Sequence, residues 1–115
     1  MTSFSMLQHV GTLPTEARIT FYVQFAHTLT VAVRGIWSDA TIPVPDQLAQ
    51  LTWMNEVMHR VLNHLRALHA GRAWSEDDMW HTLQHTIAQC PAINSEVGGA
   101  LQSAYAATVQ PTMEP

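Results

Sequence analysis

Lysine is absent from this chain, and the only basic residues are five arginines, Arg18, Arg34, Arg60, Arg66 and Arg72. They are scattered among nine acidic residues and leave a formal charge of −4. Nucleic-acid binding needs a basic stripe that neutralises phosphates. An anionic membrane surface needs clustered basic residues in the same way. Neither partner is expected. Cysteine is nearly missing too. Cys90 stands alone, so no intrachain disulfide can form, which fits a reducing compartment. Residues 1–10 lack the basic start and sustained apolar run of a signal peptide. The most apolar stretch, residues 19–37, is interrupted by Gln24, His27 and Arg34, which a membrane span tolerates poorly. The expectation is therefore a cytoplasmic protein.

Glycine patterns that cradle phosphates are also lacking, since Gly98 and Gly99 form an isolated pair. No nucleophilic triad is visible. Cys90, on an apolar face just before Pro91, reads as a small hydrophobe rather than a reactive thiol. No cofactor and no enzymatic activity are expected on these grounds.

What is present is apolar. Of 115 residues 47% are hydrophobic and only 12% charged, a balance that argues against disorder. The length suits one domain with a real core, with residues 1–13 and 110–115 expected to be loose. So little charge also implies apolar surface covered by a partner, most simply a second copy in a dimer, or by another protein.

Residues 15–37 carry Tyr22, Phe25, Ala26, Leu29, Ala32, Val33 and Ile36 at steps of three and four, which predicts a helix begun by Pro14. Residues 39–45 form a linker around Pro43 and Pro45. Residues 46–70 predict a second helix, with Leu51, Met54, Met58, Val61, Leu65 and Leu68 as a heptad seam facing inward, closed by Gly71. Ser75-Glu76-Asp77-Asp78 resembles a capping box, with Trp74 and Met79 placed as a hydrophobic staple. The helix it opens runs to Pro91, and a fourth helix spans 94–109. The fold class is all-α, a small antiparallel bundle of about four helices.

Three constellations can carry chemistry. With the seam inward, Glu56, His59, Asn63 and Arg66 share the outer side of the second helix, and Glu56 is within reach of His59 and Arg60. A carboxylate beside an imidazole fixes its tautomer and raises its basicity. The run Glu56, His59-Arg60-Val61, Asn63 and Leu65 resembles the phosphoacceptor helix of one group of bacterial sensor histidine kinases. That resemblance implies His59 as phosphoacceptor, with Glu56 assisting and Asn63 beside it. Leu62 stands where the motif has a basic residue and His64 where it has a second asparagine, and no ATP-binding domain follows. Ala26-His27-Thr28-Leu29 is similar to the start of a histidine-phosphotransfer motif, but Thr30 and Val31 replace the lysine and glycine that should follow.

The third constellation is metallic. His81 and His85 lie one turn apart with Asp77 a turn earlier, and a zinc site from these residues is the simplest metal reading. Glu56-x-x-His59 has the spacing of carboxylate-bridged di-metal bundles, with only Asp78-x-x-His81 to match it. Each histidine can equally be an ordinary solvated side chain. The reading with most support is a non-enzymatic, self-associating interaction or regulatory module, with histidine phosphotransfer and metal binding as alternatives.

Overall fold

A computed structural model describes residues 2–72 and 75–109. The described residues are helical, in the order α1 (Ser3–Val10), α2 (Thr15–Ser38), α3 (Val44–His69), α4 (Glu76–Ala88) and α5 (Asn94–Val109), with one 3-10 turn at Pro91–Ile93 before α5. The all-α class holds, but there are five α-helices where about four were expected.

The additional one is α1, in the stretch expected to be loose. Thr2 caps it, its side-chain oxygen accepting from the Ser5 backbone N–H at 3.1 Å. Met6, Leu7 and Val10 then fall on one face at steps of one and three and enter the core, where Leu7 and Val10 have no exposed surface. Eight residues are too few to hold a helix by local propensity, so burial of this face stabilises α1. The expected loose tail at 110–115 and the staple residue Trp74 lie outside the described residues.

Helix α2 is the centre of the assembly, packed against α5 on one side and α3 on another, while α4 packs on α3 and α1, and α1 on α5. Phe21, Tyr22, Phe25, Leu29 and Ile36 bury its inner face. Trp37, next to Ile36, is instead 62% exposed. Helix α3 begins two residues earlier than the linker reading allowed. Pro43 is its N-cap and Pro45 sits in the first turn, where a missing N–H costs nothing. It ends as Gly71 implied: Gly71 has φ +77°, its N–H bonds the Leu68 carbonyl at 3.1 Å, and the Arg72 N–H bonds the Ala67 carbonyl at 2.9 Å. This is a Schellman closure.

The seam of α3 does not face inward as a unit. The buried residues are Met54, Val57, Val61, His64, Ala67 and Leu68. Leu51, Met58 and Leu65 are only partly covered. Helix α4 opens as its sequence suggested, with the Ser75 hydroxyl accepting from the Asp78 N–H at 3.1 Å.

If α1 belongs to the core, Leu7→Ala should lower the unfolding free energy in urea by about 2–5 kcal/mol, the range for emptying a buried leucine site. A change below about 0.5 kcal/mol, the size expected of an exposed position, would return residues 1–13 to the status of a leader.

Candidate functional site

The densest polar cluster in the molecule joins residues far apart in sequence. Glu76, the first residue of α4, is only 7% exposed, and His64 of α3 is fully buried. Arg18 Nη2 donates to both oxygens of Glu76, at 3.0 Å to Oε1 and 2.8 Å to Oε2. The Tyr22 hydroxyl donates to Oε2 at 3.3 Å, and His64 Nε2 lies 3.1 Å from the same atom. An ionised carboxylate only accepts, so this imidazole nitrogen carries a proton. The Tyr22 and His64 rings also meet edge to face, with centroids 4.6 Å apart.

Geometry explains the electrostatics. Burial is the largest influence on Glu76 and pushes its pKa up. The hydrogen bonds from His64 and Arg18, and their charges, outweigh it and hold the carboxyl below its ordinary 4.5. The first turn of α4 adds a favourable backbone field for an anion. Tyr22 is driven the other way, well above its ordinary 10.0, by burial first and then by the neighbouring carboxylate. Glu76 is thus a saturated anion and Tyr22 a neutral donor. A general base needs a pKa near the working pH, and this carboxyl is held below its ordinary value with its oxygens already engaged. The cluster is a structural tie between α2, α3 and α4.

Gly11 closes the tie from α1. A Cβ there would stand 2.8 Å from Glu76 Oε1 and 3.3 Å from the Gln8 carbonyl oxygen. The carboxylate cannot swing aside without giving up its donors, so the close approach requires glycine. A polar depression of about 460 Å³ opens at the tie, lined by Gln8, Gly11, Thr12, Arg18, Ser75, Asp77 and Glu76 itself.

None of the four tie residues was singled out from sequence, although Glu76 lay within the capping box and His64 within the kinase-like run. The available signal was His64 itself, which keeps step with Val57, Val61 and Leu68 at intervals of four, three and four. A polar residue on a core face calls for a buried partner.

The sequence candidates fall elsewhere. His59 is exposed on α3, as expected, with Arg60 also exposed and Asn63 half-buried. Glu56 pairs with Arg60 at 3.0 Å rather than with His59. The Asn63 side-chain oxygen takes an Arg66 N–H at 3.4 Å. His27 is exposed on α2. On α4, Asp77, His81 and His85 are exposed, and His81 Nδ1 bonds the Asp77 carbonyl oxygen at 2.8 Å. Among the described residues no group of three or more His, Cys, Asp or Glu is placed to hold a metal ion. Cys90 is half-buried. Nor, among the described residues, is any helix long and apolar enough to cross a membrane.

A separate feature is an apolar face on α2 and α3. On α2, Ile19, Val23, Ala26, Thr30, Val33 and Trp37 recur at steps of four and three. On α3, Val44, Leu48, Leu51, Asn55, Met58, Leu62, Leu65 and His69 do the same. Two grooves show that these stripes lie side by side and antiparallel. One of about 360 Å³ is lined by Ile19, Val23, Leu62, Leu65, Arg66 and His69. The other, about 280 Å³, is lined by Thr30, Val33, Trp37, Leu51, Asn55 and Met58. Val23, Trp37, Val44, Leu48 and Leu62 are between 36% and 63% exposed.

No protein-family model, curated protein or solved structure matches this chain.

Two outcomes test the tie. Glu76→Ala removes a buried anion and strands Arg18, and should cost about 3–5 kcal/mol in denaturant unfolding. Gly11→Ala should destabilise by roughly 1–3 kcal/mol, the range for overpacking. In pH titration of the unfolding free energy, the depressed Glu76 pKa means its contribution is complete above about pH 4.5 and is lost as pH falls through the folded value. The raised Tyr22 pKa adds stability that is complete below about pH 10 and declines above it. Glu76→Gln should flatten the acid limb, and an unchanged acid limb in that variant would place the titration on another group.

Proposed function

We propose that this protein is a non-enzymatic, self-associating helical module that works through the joined outer faces of α2 and α3. The observation that carries the reading is the pair of outward stripes at heptad spacing, six positions on α2 and eight on α3. A helix buried on one side of a monomer needs one apolar face. These two helices have a second, whose large residues stand in solvent. The spacing is that of helices meant to pack with other helices at about 20°. Scattered exposed hydrophobes are ordinary, but a contiguous band of them across two helices marks an interaction surface.

The ionisable residues support the same conclusion by what they do. In the interior Glu76 is held by Arg18 and His64, and on the outside Arg60 pairs with Glu56 and Arg66 with Asn63 along α3.

Sedimentation velocity or light scattering at micromolar concentration should show a dimer or larger species. Leu62→Glu or Val23→Glu, both exposed positions, should lower the apparent mass to that of a monomer while leaving the helical circular dichroism unchanged. A wild-type chain that stays monomeric at 100 µM removes this function.

A second reading, phosphotransfer at His59, is favoured by one observation: the imidazole is exposed on the outer side of α3. It predicts acid-labile, base-stable phosphate uptake from a small phosphodonor or a kinase, abolished in His59→Gln. Labelling that persists in that variant ends it.

A further inference from the structure

We infer that the occupant of the α2–α3 face is a second copy of this chain turned end for end, with Asn55 at the two-fold axis setting the register. This rests on the self-association proposed above and adds the order in which the copies meet.

The first argument is symmetry within the stripes. Leu48 and Leu62 stand seven residues to either side of Asn55, and Val23 and Trp37 stand seven residues to either side of Thr30. Asn55 and Thr30 line one groove and so lie near the same level of the helix pair. A two-fold axis in the plane of the face, crossing both helices at that level, lays α2 on its symmetry mate and α3 on its own. Each Leu48 then opposes the other copy's Leu62, and each Trp37 opposes the other copy's Val23. An isologous contact demands this kind of self-complementarity.

The second argument is shape. Trp37 projects at one end of the face, and the larger groove, between Ile19, Val23, Leu62 and Leu65, lies at the other end. Reversing the ends seats each indole in the opposite copy's groove, with the Arg66 guanidinium at its edge, where a cation meets an aromatic face well. Stacking α2 on α3 with ends aligned would instead drive Trp37 against Leu48, projection on projection.

Polar satisfaction points the same way. The Thr30 hydroxyl already donates to the Ala26 carbonyl at 3.0 Å. The Asn55 side-chain amide has no partner within its chain among the described residues. At the axis two such amides bond each other, donor to acceptor in both directions. A lone asparagine inside an apolar seam fixes register and number of chains in this manner. The area is adequate: a face roughly 27 Å long and about 20 Å wide, two helices side by side, projects about 540 Å², or about 1,080 Å² over both copies, above the roughly 1,000 Å² that a specific interface clears.

The test is cross-linking of the full chain carrying Cys90→Ser. Adding Asn55→Cys should give a disulfide-linked dimer in high yield on mild oxidation, because helices packed about 8–10 Å apart bring facing Cα atoms within disulfide range. Adding Ser103→Cys instead, an exposed position on α5, should give little. Asn55→Leu should still associate but spread from one species into several in sedimentation velocity. A chain that dimerises when reduced yet does not cross-link through Asn55→Cys overturns the end-for-end order and leaves self-association standing. Efficient linkage between Thr30→Cys and Asn55→Cys chains would establish the aligned order in its place. A monomeric Cys90→Ser chain, matched by a monomeric wild type, defeats both proposals together.

Discussion

The fold turns on a single buried anion. Glu76 gathers donors from Arg18 and Tyr22 on α2 and from His64 on α3, and it stands at the start of α4. Burying a carboxylate is expensive unless its oxygens are fully engaged, and here four contacts engage them. Directional bonds do what apolar packing alone does less well: they set the rotation of each helix about its own axis. With Arg18, Tyr22 and His64 directed at one point, the apolar stripe of α2, which starts one residue and so about 100° round the helix from Arg18, adjoins the outer stripe of α3. The tie thus contributes to the rotation at which the two stripes meet.

Much of this architecture was legible in the chain, and the misreadings have identifiable causes. The extents of α2 and α3 follow from apolar periodicity, and the ends of α3 and α4 follow from Gly71 and Ser75. Periodicity does not say which way a helix faces when it carries two apolar stripes. Leu51, Met54, Met58, Val61, Leu65 and Leu68 read as one seam, yet Met54, Val61 and Leu68 are core residues while Leu51, Met58 and Leu65 border the outer face. His64 decides the phase, because a residue in step with the buried valines must itself be inside. Its meaning depends on Glu76, twelve residues away, and on Arg18, much farther. Such a partnership is set by tertiary packing and leaves no local motif. Helix α1 escaped notice for a related reason: its eight residues are stabilised by what they touch.

The chemistry of the histidines follows from the same partition. His64 is spent on the tie, and His9 on the Tyr105 hydroxyl at 2.5 Å. His81 bonds its own helix backbone. His59 keeps its exposure but not the assistance of Glu56, whose carboxylate lies against Arg60. A reactive imidazole depends on a neighbour that fixes its tautomer, and in this arrangement the neighbouring charges are paired with each other. A metal site requires ligands to converge, and among the described residues no three of His, Cys, Asp or Glu do so.

An apolar face alone would make this chain adhesive without being selective. Hydrophobic burial is non-directional, and two smooth stripes could slide by a heptad at modest cost. Asn55 interrupts the α3 stripe, so any alignment that buries its amide against hydrocarbon forfeits a hydrogen bond worth about 1–3 kcal/mol. In the proposed dimer this asparagine would lower the affinity of the best alignment somewhat and that of the wrong ones more. The same physics operates inside the monomer, where Glu76 costs desolvation and in return permits only one rotation of three helices. Interior and surface thus share a device, in which a polar group placed among hydrophobes converts attraction into geometry.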